Sequence, residues 1–281
     1  MKIGVPSGIG DISWLVSKLI NAPEWPNIEL IVADGWPFRA DDYLKMLGKC
    51  KNDRKSNYGS FRFDDIVVFE KMNPYHNWSD ITKRGFGVEY MQPNHHLEMG
   101  RPLDDYLPDL KTDYHYKLDI PVPDCKLNGS KWIGISCASY RGAHAWHTWE
   151  EEQWTDLLTL LAKDDYKFVF MGGRWDDLTD SVAAYFPSNA GHINMIGKTT
   201  FSQACAIHKM LPFYIGFSSG LGIIRTVMSL PTMMLWPEHQ QPLSFSWADP
   251  EDIDSKKYLP FPYTKPKIIY NQFKAQEELY G

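Results

Sequence analysis

No run of eighteen or more apolar residues occurs in the 281-residue chain, so a membrane-spanning helix is excluded. Cysteine is sparse: Cys50, Cys125, Cys137 and Cys205 are scattered, with no Cys-x-x-Cys pair and no metal-ligand spacing. Reduced thiols in a cytosolic compartment are expected. Pro6, Gly8 and Asp11 come almost at once, so no secretory leader is expected. Basic charge is not concentrated, since 29 Lys and Arg stand against 35 Asp and Glu for a net charge of −6. That balance argues against broad, sequence-blind nucleic-acid binding. The densest basic run, Lys49 to Lys55, is interrupted by Asp53 and reads as a solvated loop. Internal repeats and low-complexity tracts are also missing. An apolar fraction of 43% and a charged fraction of 23% fit a soluble globular protein of one large or two medium domains. Aromatics are plentiful at 14%, a surplus suited to a cleft that stacks on rings.

The first residues carry the clearest local signal. Met1–Val5 is short and apolar enough for a buried strand, and Ser7-Gly8-Ile9-Gly10 allows a tight turn whose amides can approach a ligand. Ile12, Leu15, Val16, Leu19 and Ile20 then recur at one-face helical spacing. Asp11 lies where strand gives way to helix. In open α/β sheets ligands bind at the carboxyl ends of strands, so Asp11 is either a helix N-cap or a catalytic base. A second strand is expected near 28–33, a short helix near 41–47 and another strand near 66–69. From 73 to 119 the pattern loosens into a polar, aromatic-rich region. His95, His96 and Glu98 there are candidates for the acceptor side of a cleft. Pro121 to Ser130 reads as a linker.

A second α/β series starts at Trp132-Ile-Gly-Ile-Ser136. Its helix, near 150–161, carries Trp154, Leu157, Leu158 and Leu161 on one face. A strand at 167–171 ends in Gly172-Gly173, a helix is expected over 201–211, and a strand over 213–217. Ser218, Ser219 and Gly220 then open a helix over 220–229, followed by a strand at 232–235 and a last helix near 271–279. Alternating strands and helices argue for parallel sheets covered on both faces. The free amides and dipole at the helix start near Ser219 suit phosphate groups. The loop from Tyr140 to Trp149 offers Arg141 for charge-assisted bonds to phosphate, with His144 and His147 nearby. His144-x-x-His147 lacks the partner ligands of a metal site. Gly197-Lys198-Thr199 ends like a P-loop, but Gly191 is one residue too far upstream, position 192 is His, and a P-loop needs a strand leading directly into it, whereas this segment precedes a helix. Asp252-Ile-Asp254 imitates a metal-binding pair without a preceding strand.

In order, these segments resemble glycosyltransferase family 9, the heptosyltransferase-like proteins of GT-B fold. Gly8-Ile9-Gly10-Asp11 is similar to the family's N-terminal Gly-x-Gly-Asp turn. Gly134 to Ser139 with Trp149-x4-Trp154 resembles its strand, loop and helix entry. Met171-Gly172-Gly173 resembles the next strand end. Ile196-Gly-Lys-Thr-Thr200, then Ile215-Gly-Phe-Ser-Ser-Gly220, resembles the family's closing pair of motifs. Three positions depart from it: Ser218 stands in place of Asp, Ile223 in place of His, and His147 in place of Lys. Arg141, His147 or Arg225 is then the candidate for the missing positive charge.

The resemblance implies an α/β protein of two Rossmann-like, doubly wound domains facing a central cleft. Residues 1–125 form the acceptor-side domain and 126–265 the nucleotide-sugar domain, while 266–281 form a C-terminal helix that could pack back on the first domain. It implies an inverting, metal-independent transfer of a sugar from a nucleotide-sugar donor to a hydroxyl of a glycan or lipid-linked saccharide, with no cofactor. Asp11 would be the general base. Ser139, Arg141, His147, Gly172, Gly173, Ser218, Ser219 and Gly220 would hold the donor, and Gly8, Gly10, His95, His96 and Glu98 the acceptor. Two other readings stand beside it: transfer to a hydroxymethylated DNA base, as in viral modification systems, and a nucleotide-sugar-binding protein without catalysis. A cytoplasmic location is expected, in the host if the protein is viral.

Overall fold

The computed structural model describes residues 2–5, 8–32, 37–49, 66–70, 87–91, 97–102, 112–123, 127, 131–138, 149–237 and 248–281. The chain divides into two compact units, Met1–Asp119 and Ile120–Gly281.

The first unit holds β1 (Lys2–Val5), α1 (Ile9–Leu19), β2 (Glu29–Val32), α2 (Pro37–Met46), β3 (Ile66–Glu70), β4 (Gly87–Met91) and β5 (Leu97–Pro102). Its sheet has the order β2-β1-β3-β4-β5. β1 runs parallel to β2 and β3, whereas β4 and β5 are antiparallel additions at one edge. The expectation of a loose region over 73–119, and of parallel strands throughout, is corrected here. Antiparallel strands need no crossover helix, so no helical pattern announces them. Glu98 belongs to β5, where its backbone pairs with Tyr90. In α1 the predicted face is present: Ile12, Leu15, Val16 and Leu19 are fully buried. Residues 112–119 strap this helix to α2. Asp113 N–H donates to Ser17 O at 2.7 Å and Asp119 N–H to Met46 O at 2.8 Å. Between them the Tyr116 hydroxyl, buried, meets Ser13 Oγ at 2.7 Å and the Tyr43 hydroxyl. The segment before the linker therefore stays with the first unit as far as Asp119.

The second unit runs β6 (Lys131–Ser136), α3 (Glu151–Ala162), β7 (Tyr166–Phe170), α4 (Asp177–Ala184), β8 (Ile193–Asn194), α5 (Phe201–Met210), β9 (Phe213–Phe217), α6 (Gly220–Val227), β10 (Thr232–Trp236), α7 (Pro250–Asp254), β11 (Tyr258–Pro262) and α8 (Pro266–Tyr280). The sheet order is β11-β10-β9-β6-β7-β8, parallel throughout. Strand alternation sorts its two faces. Ile133, Ile135, Phe168 and Phe170 pack with α3 residues Trp154, Leu157, Leu158 and Leu161 and with Ile269 and Phe273 of α8. Trp132, Val169 and Met171 pack with Ala204, Ile207 and Leu211. Each buried side chain of this size contributes about 1.5–3 kcal/mol. Packing thus outweighs the roughly 1 kcal/mol of an N-cap, and capping sets where α3 starts, not whether it forms. The helix at 266–281, set apart in the sequence reading, is an integral part of the second unit through Ile269 and Phe273.

Arg225 resolves one sequence expectation against itself. It is fully buried. Its Nε–H donates to Thr232 Oγ1 (3.3 Å), and its two terminal nitrogens donate to the carbonyls of His208 (2.6 Å), Leu211 (3.0 Å), Pro212 (3.3 Å) and Pro231 (2.7 Å). Five donors meet five uncharged acceptors, so this cation serves the fold and is not available to a phosphate. Burial lowers its pKa to about 9. All of α6 from Gly222 to Val227 is buried, and a polar side chain in a helix buried all round must find its partners inside. Replacing Arg225 with Met should take the donor from the Leu211, Pro212 and Pro231 carbonyls, leave His208 O with only the Leu211 amide, and cost on the order of 3–5 kcal/mol. A urea midpoint for the variant close to wild type would contradict this role.

Candidate functional site

In a doubly wound sheet the crevice for a ligand opens where successive connections leave in opposite directions. In the second unit that point lies between β6 and β9, because β7 is added on one side of β6 and β9 on the other. Ser136 ends β6 and Cys137 follows it, Gly172 and Gly173 follow β7, and Ser218, Ser219 and Gly220 follow β9. The sequence expectation placed Ser218 to Gly220 at a helix start, and the structure agrees: Ser219 is the N-cap of α6. In the first unit the equivalent point lies between β1 and β3, and α1 is the next element after β1.

Helix starts differ in one respect. At α4 the Asp176 side chain accepts the Thr179 amide at 3.0 Å. At α5 Thr200 Oγ1 accepts the Gln203 amide at 3.2 Å, and Gln203 Oε1 accepts the Thr200 amide. At α3 Gln153 Oε1 accepts the Glu150 amide at 2.9 Å. The P-loop-like Gly197-Lys198-Thr199 is thus the approach to an ordinary capped helix. By contrast α6 has no side-chain cap, and neither has α8, which starts with Pro266. Ser219 Oγ instead lies 3.5 Å from the Tyr214 hydroxyl, leaving the first α6 amides without a side-chain acceptor. α1 has none either. Its N-cap is Gly8, and Ile12 N–H donates to Gly8 O at 3.0 Å. The N-cap reading of Asp11 is therefore corrected: Asp11 is the third residue of α1, inside its first turn. Gly10 precedes it in the same turn.

Glycines near the crevice make room for the chain's own side chains. A Cβ on Gly172 would lie 2.5 Å from Asp176 Oδ2, and one on Gly173 would lie 2.2 Å from the Trp175 indole. A Cβ on Gly216 would meet the Tyr214 hydroxyl at 2.2 Å. Tyr214 is fully buried, and burial pushes its pKa up to about 12. Beside it the Tyr263 hydroxyl is buried without a hydrogen-bond partner. Ser218 is half-buried and its amide donates to Leu235 O at 3.2 Å, so it belongs to the sheet edge. Ile223, in the position where the resembled family has His, is buried. Lys198 donates to Asn194 O at 2.7 Å, and Arg174, exposed, reaches Gly197 O at 3.5 Å. Ser139, Arg141, His144, His147, His95 and His96 lie outside the described residues, as do the side chains of Asp11 and Glu98. Among the described residues no cluster of three His, Cys, Asp or Glu side chains could hold a metal ion. Asp252 of the Asp-Ile-Asp pair instead accepts from Ser229 Oγ at 3.2 Å and faces Lys257 at 3.7 Å.

Sequence reasoning passed over Asp176 and Thr179. The signal was present: an acidic residue three places before Thr, after strand-end glycines and ahead of an apolar helical pattern, is an N-cap signature. Asp176 is buried, and desolvation raises its pKa to about 6 despite bonds from the Thr179 side chain and amide; Asp177 and Asp180 add to the rise. Because the folded value stands above that of an unfolded Asp, wild-type protein loses stability as pH rises from about 4 through 6. Asn caps as well as Asp and carries no charge. Asp176→Asn should therefore be more stable than wild type by on the order of 2 kcal/mol at pH 8, with the gain gone below about pH 4. Paired denaturation curves at the two pH values test this, and a gain that does not depend on pH would refute it.

Sequence comparison is silent: no family model matches the chain, and no curated protein matches it. Structure comparison is not. The E. coli ADP-heptose LPS heptosyltransferase II superposes with a TM-score of 0.61 at 13% identity, over 98% of each chain. The E. coli heptosyltransferase WaaC with ADP gives 0.58 at 10% identity, covering 98% of this chain and 100% of the other. A glycosyl transferase family 9 protein from Veillonella parvula gives 0.57 at 11% identity, covering 99% and 94%. Among the described residues no helix is long and apolar enough to cross a membrane. The chain has the α/β, Rossmann-like fold of the GT-B glycosyltransferases.

Proposed function

We propose that this chain is a glycosyltransferase that takes a sugar from a nucleotide-sugar donor and passes it to an acceptor hydroxyl. The observation that carries the reading is the uncapped start of α6 at the switch point of a parallel sheet, within a fold shared along its whole length with heptosyltransferases. Unpaired amides and a helix dipole there favour a diphosphate. The same site would stabilise the charge that develops on the leaving group. Ser219 and Gly220 lead the donor set, with Ser139, Arg141 and His147 as further candidates and Arg225 removed from it. Similar structures include complexes with ADP and with UDP, the latter of S. aureus MnaA at a TM-score of 0.54.

In this reading Asp11, in the turn between β1 and the body of α1, removes the proton from the acceptor hydroxyl. The oxygen attacks the anomeric carbon opposite the departing diphosphate, the configuration inverts, and no metal takes part. A saccharide is the favoured acceptor, and Gly8, Gly10, His95, His96 and Glu98 remain its candidate contacts. The net charge of −6 weighs against a DNA acceptor.

Two variants separate the parts. Asp11→Asn should lower transfer by about 10²- to 10⁴-fold while a nucleotide still raises the melting temperature as it does for wild type. Retained transfer would remove Asp11 from the mechanism, and retained binding without transfer in wild type would favour the non-catalytic reading. Ser219→Asp places a carboxylate where the diphosphate should sit. It should cap α6, stabilise the protein by about 0.5–1 kcal/mol and weaken ADP or UDP binding at least tenfold. Undiminished nucleotide affinity in that variant would move the phosphate site elsewhere.

A further inference from the structure

At the carboxyl edge of the second sheet, Cys137 after β6 and the segments after β7 and β8 are joined by one chain of hydrogen bonds, and a single side chain lies at its centre. At the end of β6, Cys137 N–H donates to Thr179 Oγ1 at 2.8 Å. Thr179 in turn bonds Asp176 through its side chain and through its amide, the latter at 3.0 Å. Asp176 N–H donates to Gly173 O at 3.0 Å, closing the turn after β7, and its Oδ2 fills the space beside Gly172. Gly172 O then accepts from Gly197 N–H at 3.0 Å, which brings in the segment after β8. Capping α4 would not require this residue type, because Ser, Thr or Asn caps without burying a charge. Asp176 is only 4% exposed. The charged groups it feels are Asp177 and Asp180, both of its own sign. A desolvated carboxylate facing like charge is a cost to the fold, and such costs are retained where a site needs them.

We propose that Asp176, acting through Thr179, is the positioning residue that holds Cys137, just after β6, and the turn after β7 at the spacing a sugar nucleotide requires. The inference rests on the donor-site reading given above. Asp176 is buried, so it acts on the donor through the backbone of Cys137, Gly172 and Gly173 and is not itself a ligand contact. A carboxylate suits the task because it is acceptor-only. Asn offers one carbonyl oxygen for the two Thr179 donors and puts an amide group where Oδ2 lies. Val at 179 keeps the shape of Thr and removes the link to Cys137.

The test uses the full chain with ADP and UDP as probes, measuring affinity well below the melting temperature, and KM and kcat once a donor is found. Asp176→Asn and Thr179→Val are each expected to bind nucleotide about tenfold more weakly, with the loss in KM and not in kcat. Asp176→Asn should do so while being more stable than wild type at pH 8, a combination that a purely structural cap would not produce. Thr179→Ser, which restores the hydroxyl, should recover the affinity. If wild type binds and both variants bind equally well, this assignment fails by itself. If neither ADP nor UDP binds wild type, the donor-site reading fails and takes this assignment with it.

Discussion

The guanidinium of Arg225 ties together the passage from α5 into β9 and the passage from α6 into β10, at the amino ends of those strands. Its partners are the Thr232 hydroxyl and four main-chain carbonyls of these two passages, so the group and the loops fix one another. α6 is a rod of eight residues, about 12 Å long. Holding its carboxyl-terminal half in this way also fixes where its amino end emerges beside β9. The placement of the Ser219 and Gly220 amides is thus set from the opposite edge of the sheet, by a fully buried side chain.

Around that anchor the unit divides its helix starts into two kinds. α3, α4 and α5 meet side-chain acceptors at their amino ends, which satisfies their amides internally and leaves little attraction for an anion. α6 diverts its one candidate cap, Ser219, toward Tyr214. α8 also lacks a side-chain cap, but Pro266 at its start removes one of its amides, so of the two uncapped starts the one beside the switch point, at α6, suits a diphosphate better. The first unit repeats the arrangement in simpler form, since Gly8 has no side chain with which to cap α1.

Much of this was legible in the sequence where period and burial agree. Ile12 to Leu19 and Trp154 to Leu161 declare their faces because each packs one stripe against a sheet. Phe213–Phe217 was placed to the residue by its position between Pro212 and the small residues that follow it. The antiparallel β4 and β5 were not legible, because short alternating strands in an aromatic-rich stretch carry little signal. Nor was β11, whose Pro260 and Pro262 speak against a strand; it lies at the sheet edge, where a missing N–H is tolerated. Arg225 misled for a different reason. Charge in a sequence suggests solvent or ligand, and only the three-dimensional accounting of carbonyls shows an internal use. Asp11 followed the same pattern in reverse: a glycine three positions earlier took the capping place that residue type alone suggested for the acid.

The filled glycine spaces have a consequence for how this protein can change. Gly173 with Trp175, Gly172 with Asp176 and Gly216 with Tyr214 are each a pair in which the smaller member's emptiness is the larger member's berth. Neither can be altered freely while the other stays as it is. Among more distant members of this fold, a side chain at any of these glycines should be accompanied by a smaller or redirected neighbour. Paired substitutions of that kind would be a more faithful record of kinship here than the identity of any one residue.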